Sequence, residues 1–341
     1  MRFLLLLLTL AACHDPADGG GAGARDRIGA VGSSTVFPFT AVVAERFVAA
    51  HPAAPAPVIE STGTGAGLKL FCGGVGAAFP DLAGASRRMR ADEYAACAGH
   101  GVRDVIEVPI GLDGLAIAEA RTGPPIRLTT AILFRALAAE PDGRPNAART
   151  WAEVDASLPP VPIRVYGPPA TSGTRDALAE LVLARGCVAH DPAAAALPPP
   201  EFRARCTRIR EDGAYVDAGE NDDLIVQKLA AEPTAIGVFG YATLEANART
   251  VRGVPLDGVA PGYASIADGR YPGARTLYVY AKRAHLAAVP GLAAFLRLYT
   301  ASWAPGGPLV RHGLIAAPAS VRARAAGIVA TTATLDPATL Q

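Results

Sequence analysis

Three short segments rich in glycine and hydroxyl side chains carry the clearest chemical signal in this sequence. They are residues 32–35 (Gly-Ser-Ser-Thr), 62–65 (Thr-Gly-Thr-Gly) and 171–175 (Thr-Ser-Gly-Thr-Arg), each between a predicted strand and a predicted helix. A helix start presents unpaired backbone N–H groups and a partial positive charge. Glycine lets an anion approach the backbone, and serine and threonine add hydroxyl donors. Segments of this kind that converge on one point can bind a compact oxyanion.

Each segment alone has a simpler explanation, because serine and threonine are common helix N-caps. Three such segments in one chain favour a site. Arg175 adds a guanidinium, which binds tetrahedral oxyanions through two hydrogen bonds. Its alternative role is an ion pair with Asp176 or Asp222, and the sequence leaves both roles open.

Motifs of the common enzyme classes do not fit these segments. Residues 63–67 read Gly-Thr-Gly-Ala-Gly, which is not the dinucleotide pattern, and Lys69 does not complete a phosphate-binding P-loop. No Gly-x-Ser-x-Gly elbow surrounds the serines of the segments, and none of the 6 histidines lies within them. The sequence therefore predicts a binding protein, not an enzyme, with no cofactor and no metal.

The elements that must position the segments alternate between strands and helices. Apolar spacing predicts strands at 27–31, 58–60, 81–85, 163–166, 235–240 and 276–281, and two apolar stretches within 105–118. It predicts helices at 36–50, 91–98, 129–139, 174–185, 224–231 and 292–300, and a further helix that ends at residue 71. A loop is predicted at 189–200. This alternation is typical of the α/β class.

Composition sets the limits of the function. The 341 residues are 50% hydrophobic and 18% charged, which allows two domains with large cores and excludes a disordered chain. The net charge is +1 and aromatic residues make up 6%, so the chain lacks the basic face and the stacking platforms of a general nucleic-acid binder.

The N-terminus has the pattern of an export signal. Arg2 is followed by an apolar run at residues 3–8, too short to span a bilayer, and by Leu-Ala-Ala-Cys at residues 10–13. Small residues before a cysteine resemble a bacterial lipoprotein signal. We therefore expect a signal peptide at 1–12, lipidation of Cys13 and a flexible tether at 13–27. The alternative is a plain secretory signal with an incidental cysteine.

Export also changes the meaning of the other four cysteines, Cys72, Cys97, Cys187 and Cys206. An oxidising compartment favours disulfides, and four cysteines allow three connectivities. Pairing each cysteine with its neighbour in sequence is the simplest of these. A metal site is the less favoured alternative, because no Cys-x-x-Cys and no nearby histidine pair is present.

Six segments in order resemble the phosphate-binding proteins, which are the extracytoplasmic receptors of phosphate ABC transporters and class II periplasmic binding proteins. The segments are residues 32–38 (Gly-Ser-Ser-Thr-Val-Phe-Pro), 60–65 (Glu-Ser-Thr-Gly-Thr-Gly), 84–88 (Gly-Ala-Ser-Arg-Arg), 171–175 (Thr-Ser-Gly-Thr-Arg), 219–222 (Gly-Glu-Asn-Asp) and 236–241 (Ile-Gly-Val-Phe-Gly-Tyr). The resemblance runs from residue 28 to about residue 316.

The resemblance implies a two-lobed periplasmic-binding-protein fold of type II, with the ligand cleft between the lobes. We expect the first lobe to comprise residues 28–115 and 239–341 and the second lobe residues 116–238, with crossings near 115–118 and 236–241. The implied partners are inorganic phosphate and the permease subunits of an ABC transporter. The implied location is the periplasm or cell envelope. The protein is expected to be a monomer that contacts the membrane through its lipid anchor alone.

The resemblance also implies a phosphate site. Its residues are Ser34, Thr35, Thr64, Gly65, Ser86, Arg87, Ser172, Gly173, Thr174, Arg175 and, as the weakest candidate, Asn221. The family places an aspartate after the Gly-Ala-Ser stretch, where it accepts the proton of phosphate and repels sulfate. This chain has Arg87 at that position, so selectivity requires another acceptor, for which Asp113 and Asp222 are candidates.

Two other functions remain open at this stage. The same fold could bind another oxyanion or a phosphorylated metabolite, or act as a sensor without transport. A phosphate-ester hydrolase is disfavoured because the segments contain no histidine and no set of metal ligands.

Overall fold

Nine strands form the framework of the part of the chain that the structure describes. The computed structural model describes residues 26–170, 172–219 and 221–340. The strands are β1 (Gly29–Gly32), β2 (Val58–Ser61), β3 (Leu82–Ala85), β4 (Val105–Ala120), β5 (Val165–Gly167), β6 (Tyr215–Asp217), β7 (Ile236–Gly240), β8 (Val251–Gly253) and β9 (Ala274–Lys282). The two apolar stretches predicted within 105–118 are one continuous strand, in which the register shifts between Pro109 and Gly111.

Helices connect most of these strands. They are α1 (Phe37–Ala50), α2 (Thr64–Phe71), α3 (Ala91–Gly99), α4 (Thr130–Leu137), α5 (Trp151–Val154), α6 (Gly173–Ala177), α7 (Ala184–His190), α8 (Pro199–Cys206), α9 (Asp222–Ala231), α10 (Tyr241–Ala246), α11 (Tyr263–Ala267), α12 (His285–Ala288), α13 (Leu292–Thr300), α14 (Pro308–Arg311) and α15 (Ala319–Thr331). A π-helical segment, Leu178–Leu183, joins α6 to α7, so one continuous helix follows the third polar segment. The predicted loop at 189–200 contains a 3-10 turn, Pro192–Ala196, because proline is tolerated in the first turn and Asp191 caps it.

The sheet has two halves that share β4. In the first half, β1 pairs in parallel with β2 and β3, and β9 runs antiparallel between β3 and β4. In the second half, β5 pairs in parallel with β6 and β7, while β7 and β8 run antiparallel to β4. We call the first half, with the helices packed on it, the first lobe, and the other the second lobe.

Each lobe buries its own apolar side chains. Phe47 and Phe295 lie in the main core of the first lobe, and Phe71 lies in a smaller core beside it. Phe134 and Phe239 lie in the core of the second lobe. All five rings are at most 1% exposed, and burial of each contributes about 1.5–3 kcal/mol.

Residues beyond 238 still pair and pack with the second half of the sheet. We expected the second lobe to end at residue 238, but β8 pairs with β4 in the second lobe, and Leu256 and Ile266 pack into its core. Pairing in the first lobe resumes at β9. The pattern of residues 236–241 shows a buried strand but not its neighbours, which depend on the tertiary fold. We therefore propose that the second lobe extends to about Tyr271.

Two disulfides confirm the predicted pairing of neighbouring cysteines. Cys72, directly after α2, is bonded to Cys97 of α3, with the Cα atoms 4.1 Å apart. Cys187 of α7 is bonded to Cys206 of α8, with the Cα atoms 5.3 Å apart. Each bridge therefore joins two helices of one lobe.

Three predictions concern the N-terminal residues. The predicted signal peptide, the lipidation of Cys13 and residues 13–25 of the tether lie outside the described residues. Within the described part of the chain, no helix combines the length and the apolar character that are required to cross a bilayer.

Candidate anion-binding site

A cavity of about 760 Å³ lies where the two lobes meet, and we call it the interlobe cavity. Five of the predicted site residues line it: Ser34, Thr35, Ser172, Gly173 and Thr174. The remaining wall includes Phe37 and Phe39 of α1, the carboxylates of Asp113, Asp222 and Asp223, and Arg311 and His312. Two of the three polar segments, the first and the third, thus contribute to the wall of this cavity.

The first-lobe loop, residues 33–35, connects β1 to α1. Gly32 has φ +131, and a Cβ atom there would lie 2.1 Å from the carbonyl oxygen of Gly84, so this position requires glycine. The backbone N–H of Ser33 donates to that same oxygen at 2.9 Å. These contacts fix the loop on β3 and direct the first turn of α1 towards the cavity.

The second-lobe loop, residues 172–174, lies directly against the first-lobe loop. Ser172 caps α6 by accepting a 3.2 Å hydrogen bond from the backbone N–H of Thr174. A Cβ atom on Gly173 would lie 2.8 Å from the Cα of Thr35, and the Thr35 hydroxyl donates to the Gly173 carbonyl at 3.4 Å. Glycine is therefore needed here for the two lobes to approach each other.

A second contact joins the same loops. The hydroxyl of Ser34 donates a 2.6 Å hydrogen bond to Oδ2 of Asp176, which lies in the first turn after Ser172. The sequence alone indicates Asp176 only as a partner of Arg175. The structure places it on Ser34 instead.

Arg275 is a site-forming residue that sequence reasoning missed. Its side chain is 7% exposed, and its guanidinium contacts Asp113 of β4 at 3.1 Å, Glu180 of the second lobe at 2.8 Å and the hydroxyl of Thr35 at 2.8 Å. Arg275 is the residue directly opposite Asp113 in the β4–β9 pairing. It precedes the predicted strand at 276–281 by one residue, and no local pattern connects it with Asp113, so no sequence signal was available.

Comparison with known proteins identifies the fold. A PBP superfamily domain matches residues 18–302. The chain belongs to this superfamily.

Protein SphX of Synechococcus elongatus is 31% identical over 264 residues, which is 75% of this chain and 68% of that protein. The phosphate-binding protein PstS of Staphylococcus epidermidis is 26% identical and covers 80% of this chain and 74% of its own. The crystal structure of "a possible phosphate binding protein" from Planctomyces limnophilus superposes with a TM-score of 0.72 and 27% identity, over 89% of this chain and 98% of that one. The predicted family and two-lobed α/β fold are confirmed.

The second polar segment adjoins the first in this PBP-superfamily chain, because the backbone N–H groups of Thr62 and Gly63 both donate to the Gly32 carbonyl at 2.9 Å. The hydroxyl of Thr64, at the start of α2, lies 3.0 Å from the hydroxyl of Ser86 and accepts from the backbone N–H of Ser86 at 3.1 Å. Gly65 follows in the same helix, and a Cβ atom there would meet no atom within 4 Å. None of these three residues lines the interlobe cavity, so their predicted role in binding stays a prediction.

Arg87 is engaged by a carboxylate of its own lobe. Its guanidinium donates to both oxygens of Glu93, at 2.8 and 2.6 Å. This hydrogen bonding, with a smaller contribution from the charge of Glu180, raises the pKa of Arg87. Burial tends to raise the pKa of Glu93, but the hydrogen bonds from Arg87 and from the Arg90 backbone outweigh it and lower that pKa. The guanidinium predicted to add charge to the site is thus neutralised locally.

Arg175 and Asn221 also have structural partners. The Arg175 guanidinium lies 3.9 Å from the centroid of the Tyr215 ring, a cation–π contact, and its Nη1 lies 3.5 Å from the Pro168 carbonyl oxygen. Within the described residues, Arg175 forms no ion pair with Asp176, whose carboxylate accepts from Ser34 instead. Asn221 caps α9 by accepting from the backbone N–H of Asp223 at 3.0 Å.

The two candidate proton acceptors differ in their surroundings. Oδ2 of Asp222 accepts hydrogen bonds from the Gly240 backbone at 3.1 Å and from the Thr243 hydroxyl at 2.9 Å, which fixes the start of α9 on the end of β7. Oδ2 of Asp113 is bonded to Arg275. Asp113 is part of the cavity wall. Among the residues that the structure describes, none is hydrogen-bonded to its other carboxylate oxygen, Oδ1.

Proposed function

We propose that this protein is an extracytoplasmic receptor that binds inorganic phosphate and delivers it to an ABC importer. The observation that carries the proposal is the contact between the first-lobe and second-lobe loops at one cavity, where Thr35 meets Gly173. Hydroxyl and backbone donors from two lobes can surround an anion without a net positive charge on the protein. Relatives that are named for phosphate binding support the choice of anion.

The proposed mechanism is capture followed by lobe closure, with no bond made or broken. The hydroxyls of Ser34 and Thr35 would donate from the first lobe, and the hydroxyl groups and backbone of residues 172–174 would donate from the second. An anion that bonds to both lobes stabilises the closed arrangement over the open one, because only the closed form supplies all the donors.

Asp113 is the proposed proton acceptor that replaces the aspartate of the family. Oδ1 of Asp113 can accept a hydrogen bond from protonated phosphate, whereas sulfate carries no proton at neutral pH and would be repelled. Asp222 is the weaker candidate because its Oδ2 already holds the α9–β7 junction. This assignment gives the receptor a basis for choosing phosphate over sulfate.

Isothermal titration calorimetry of the secreted protein, stripped of ligand, tests the proposal. We expect tight binding of phosphate that a large excess of sulfate does not displace. Equal heats from both anions would show a general oxyanion receptor and contradict the assignment of Asp113. Heat from neither anion would contradict the proposed function.

A phosphorylated metabolite is the second candidate ligand, and the size of the interlobe cavity favours it. Cavities of about 300–1,000 Å³ hold drug-sized ligands, and this one measures about 760 Å³, far more than a five-atom anion fills. Titration with glycerol 3-phosphate distinguishes the two candidates. Binding of the ester but not of free phosphate would favour the metabolite.

Membrane attachment through Cys13 is the remaining part of the proposal. Lipidation would hold the receptor near a permease. A Cys13→Ser variant should leave the membrane fraction and become soluble after export. An unchanged membrane fraction would contradict lipid anchoring.

A further inference from the structure

Arg275 connects three elements that meet at the junction of the lobes. Its Nε donates to Asp113 of β4, its Nη2 to Thr35 of the first-lobe loop, and its Nη1 to Glu180 in the helix that follows the second-lobe loop. Each of the three nitrogens thus serves a different element. Such a division requires the rigid fork of a guanidinium, because the single ammonium of lysine cannot reach three acceptors in this geometry.

The contact with Thr35 determines how that hydroxyl can be used. Nη2 donates to Oγ1 of Thr35 at 2.8 Å, so one lone pair of the oxygen is occupied and its proton must point elsewhere. The other protein contact of this hydroxyl, with the Gly173 carbonyl, is long at 3.4 Å. The proton is therefore available to an anion in the interlobe cavity.

The contact with Glu180 extends this arrangement to the second lobe. Glu180 lies in the π-helical segment Leu178–Leu183, which continues the helix that begins at the second-lobe loop. The Glu180 side chain is 56% exposed, whereas that of Arg275 is 7% exposed. The buried guanidinium of the first lobe thus forms an ion pair with an exposed carboxylate of the second lobe.

We propose that Arg275 is a positioning residue that orients the Thr35 hydroxyl as a donor to the ligand and ties the second lobe to the same point through Glu180. The inference rests on the proposed function for the identity of the ligand. It adds a residue that does not itself line the cavity and acts through two that do, Thr35 and Asp113. Binding and lobe closure are then coupled through one side chain.

Four variants separate these contributions. Arg275→Gln removes the charge and the fork, Arg275→Lys keeps the charge alone, and Glu180→Gln removes the attachment to the second lobe. Glu201→Gln, on the exposed side of α8, is the matched control. Because Arg87 also lies within electrostatic reach of Glu180, the double variant Arg275→Gln/Glu180→Gln is needed to assign the effect of Glu180 to Arg275.

Calorimetry with phosphate is the first measurement. We expect Arg275→Gln and Arg275→Lys each to weaken binding about tenfold or more, since hydrogen bonds to charged groups are lost. Glu180→Gln should weaken binding about two- to fivefold because the pair is partly exposed, and it should have no further effect in the double variant. Thermal unfolding without ligand shows whether each variant is folded.

The proposed requirement for a guanidinium is contradicted if Arg275→Lys binds phosphate as tightly as the natural protein does, since a positive charge alone would then suffice. An equal effect of Glu180→Gln with and without Arg275 would overturn the coupling. Small-angle scattering without ligand gives a readout independent of phosphate: Glu180→Gln should increase the radius of gyration and Glu201→Gln should not. If the natural protein does not bind phosphate, the proposed function is contradicted. If the radius of gyration of Glu180→Gln is unchanged, the proposed link between the lobes through Arg275 and Glu180 is contradicted independently of phosphate binding.

Discussion

The hydroxyl of Ser34 donates a 2.6 Å hydrogen bond to the carboxylate of Asp176 across the junction of the two lobes. A serine hydroxyl has one proton, so it cannot donate to this carboxylate and to a bound anion at the same time. Asp176 therefore competes with the ligand for a donor that the proposed function requires. It also places a negative charge next to the position proposed for the anion.

Replacing Asp176 by asparagine should strengthen phosphate binding. The neutral amide is a weaker acceptor for the Ser34 hydroxyl and does not repel an anion, so we expect an increase in affinity of about tenfold. Titration calorimetry measures the change, with the exposed Glu211→Gln as a control for the loss of one negative charge. A weaker complex would mean that the Ser34–Asp176 bond supports the bound state.

Gly173→Ala should weaken binding by preventing the contact of the loops. The added methyl group would lie 2.8 Å from both the Cα and the Oγ1 of Thr35, closer than real Cβ contacts allow. We expect a loss of at least tenfold in phosphate affinity, with the unfolding midpoint little changed. Gly327→Ala is the control: it is exposed within α15, meets no atom within 4 Å and should add about 1 kcal/mol of stability. Unchanged affinity in Gly173→Ala would show that binding does not require this contact.

Asp113→Asn should reduce the preference for phosphate over sulfate. The amide can donate to either anion, so we expect sulfate binding to strengthen and phosphate binding to weaken, which lowers the ratio of the two affinities by about tenfold or more. Competition calorimetry provides the ratio. If both affinities fell equally, Asp113 would act only by holding Arg275.

The ion pair between Arg87 and Glu93 should make stability depend on pH in the acid range. The pKa of Glu93 is lowered in the folded protein from its ordinary value of 4.5, so its contribution is present above that value and is lost as the pH falls through the folded value. Glu93→Gln keeps an acceptor for the Arg90 backbone but loses the charge. We expect it to cost on the order of 1 kcal/mol at pH 7 and to flatten the acid slope in denaturant titrations. Identical slopes for both proteins would show that the pair contributes nothing.

The two disulfides should leave no free thiol among Cys72, Cys97, Cys187 and Cys206. They close loops with sequence separations of 25 and 19 residues, and each should contribute about 3 kcal/mol. Reduction should therefore lower the unfolding midpoint clearly. Labelling of the denatured, unreduced protein with a thiol reagent measures the free cysteines, and stoichiometric labelling of these four residues would disprove both bridges.

Local patterns were sufficient to predict most of the framework and two loops of the cavity wall. Apolar spacing marked most strands, and the segments at residues 32–35 and 171–175 supplied the two loops that meet. The short helices that sequence missed, such as α5 and α14, have four residues each, too few to show a period. Side-chain partners were beyond reach, because the pairing of Arg87 with Glu93 depends on side-chain direction and that of Arg275 with Asp113 on sheet register.

The shared strand β4 limits how this protein can be divided. It pairs with β9 through residues 105–114 and with β7 through residues 115–119, so neither lobe has a complete sheet without it. A gene fragment cut at the middle of β4 would leave each product with an unpaired edge. Recombination between relatives that exchanges one lobe must therefore carry a β4 that can pair with both β7 and β9.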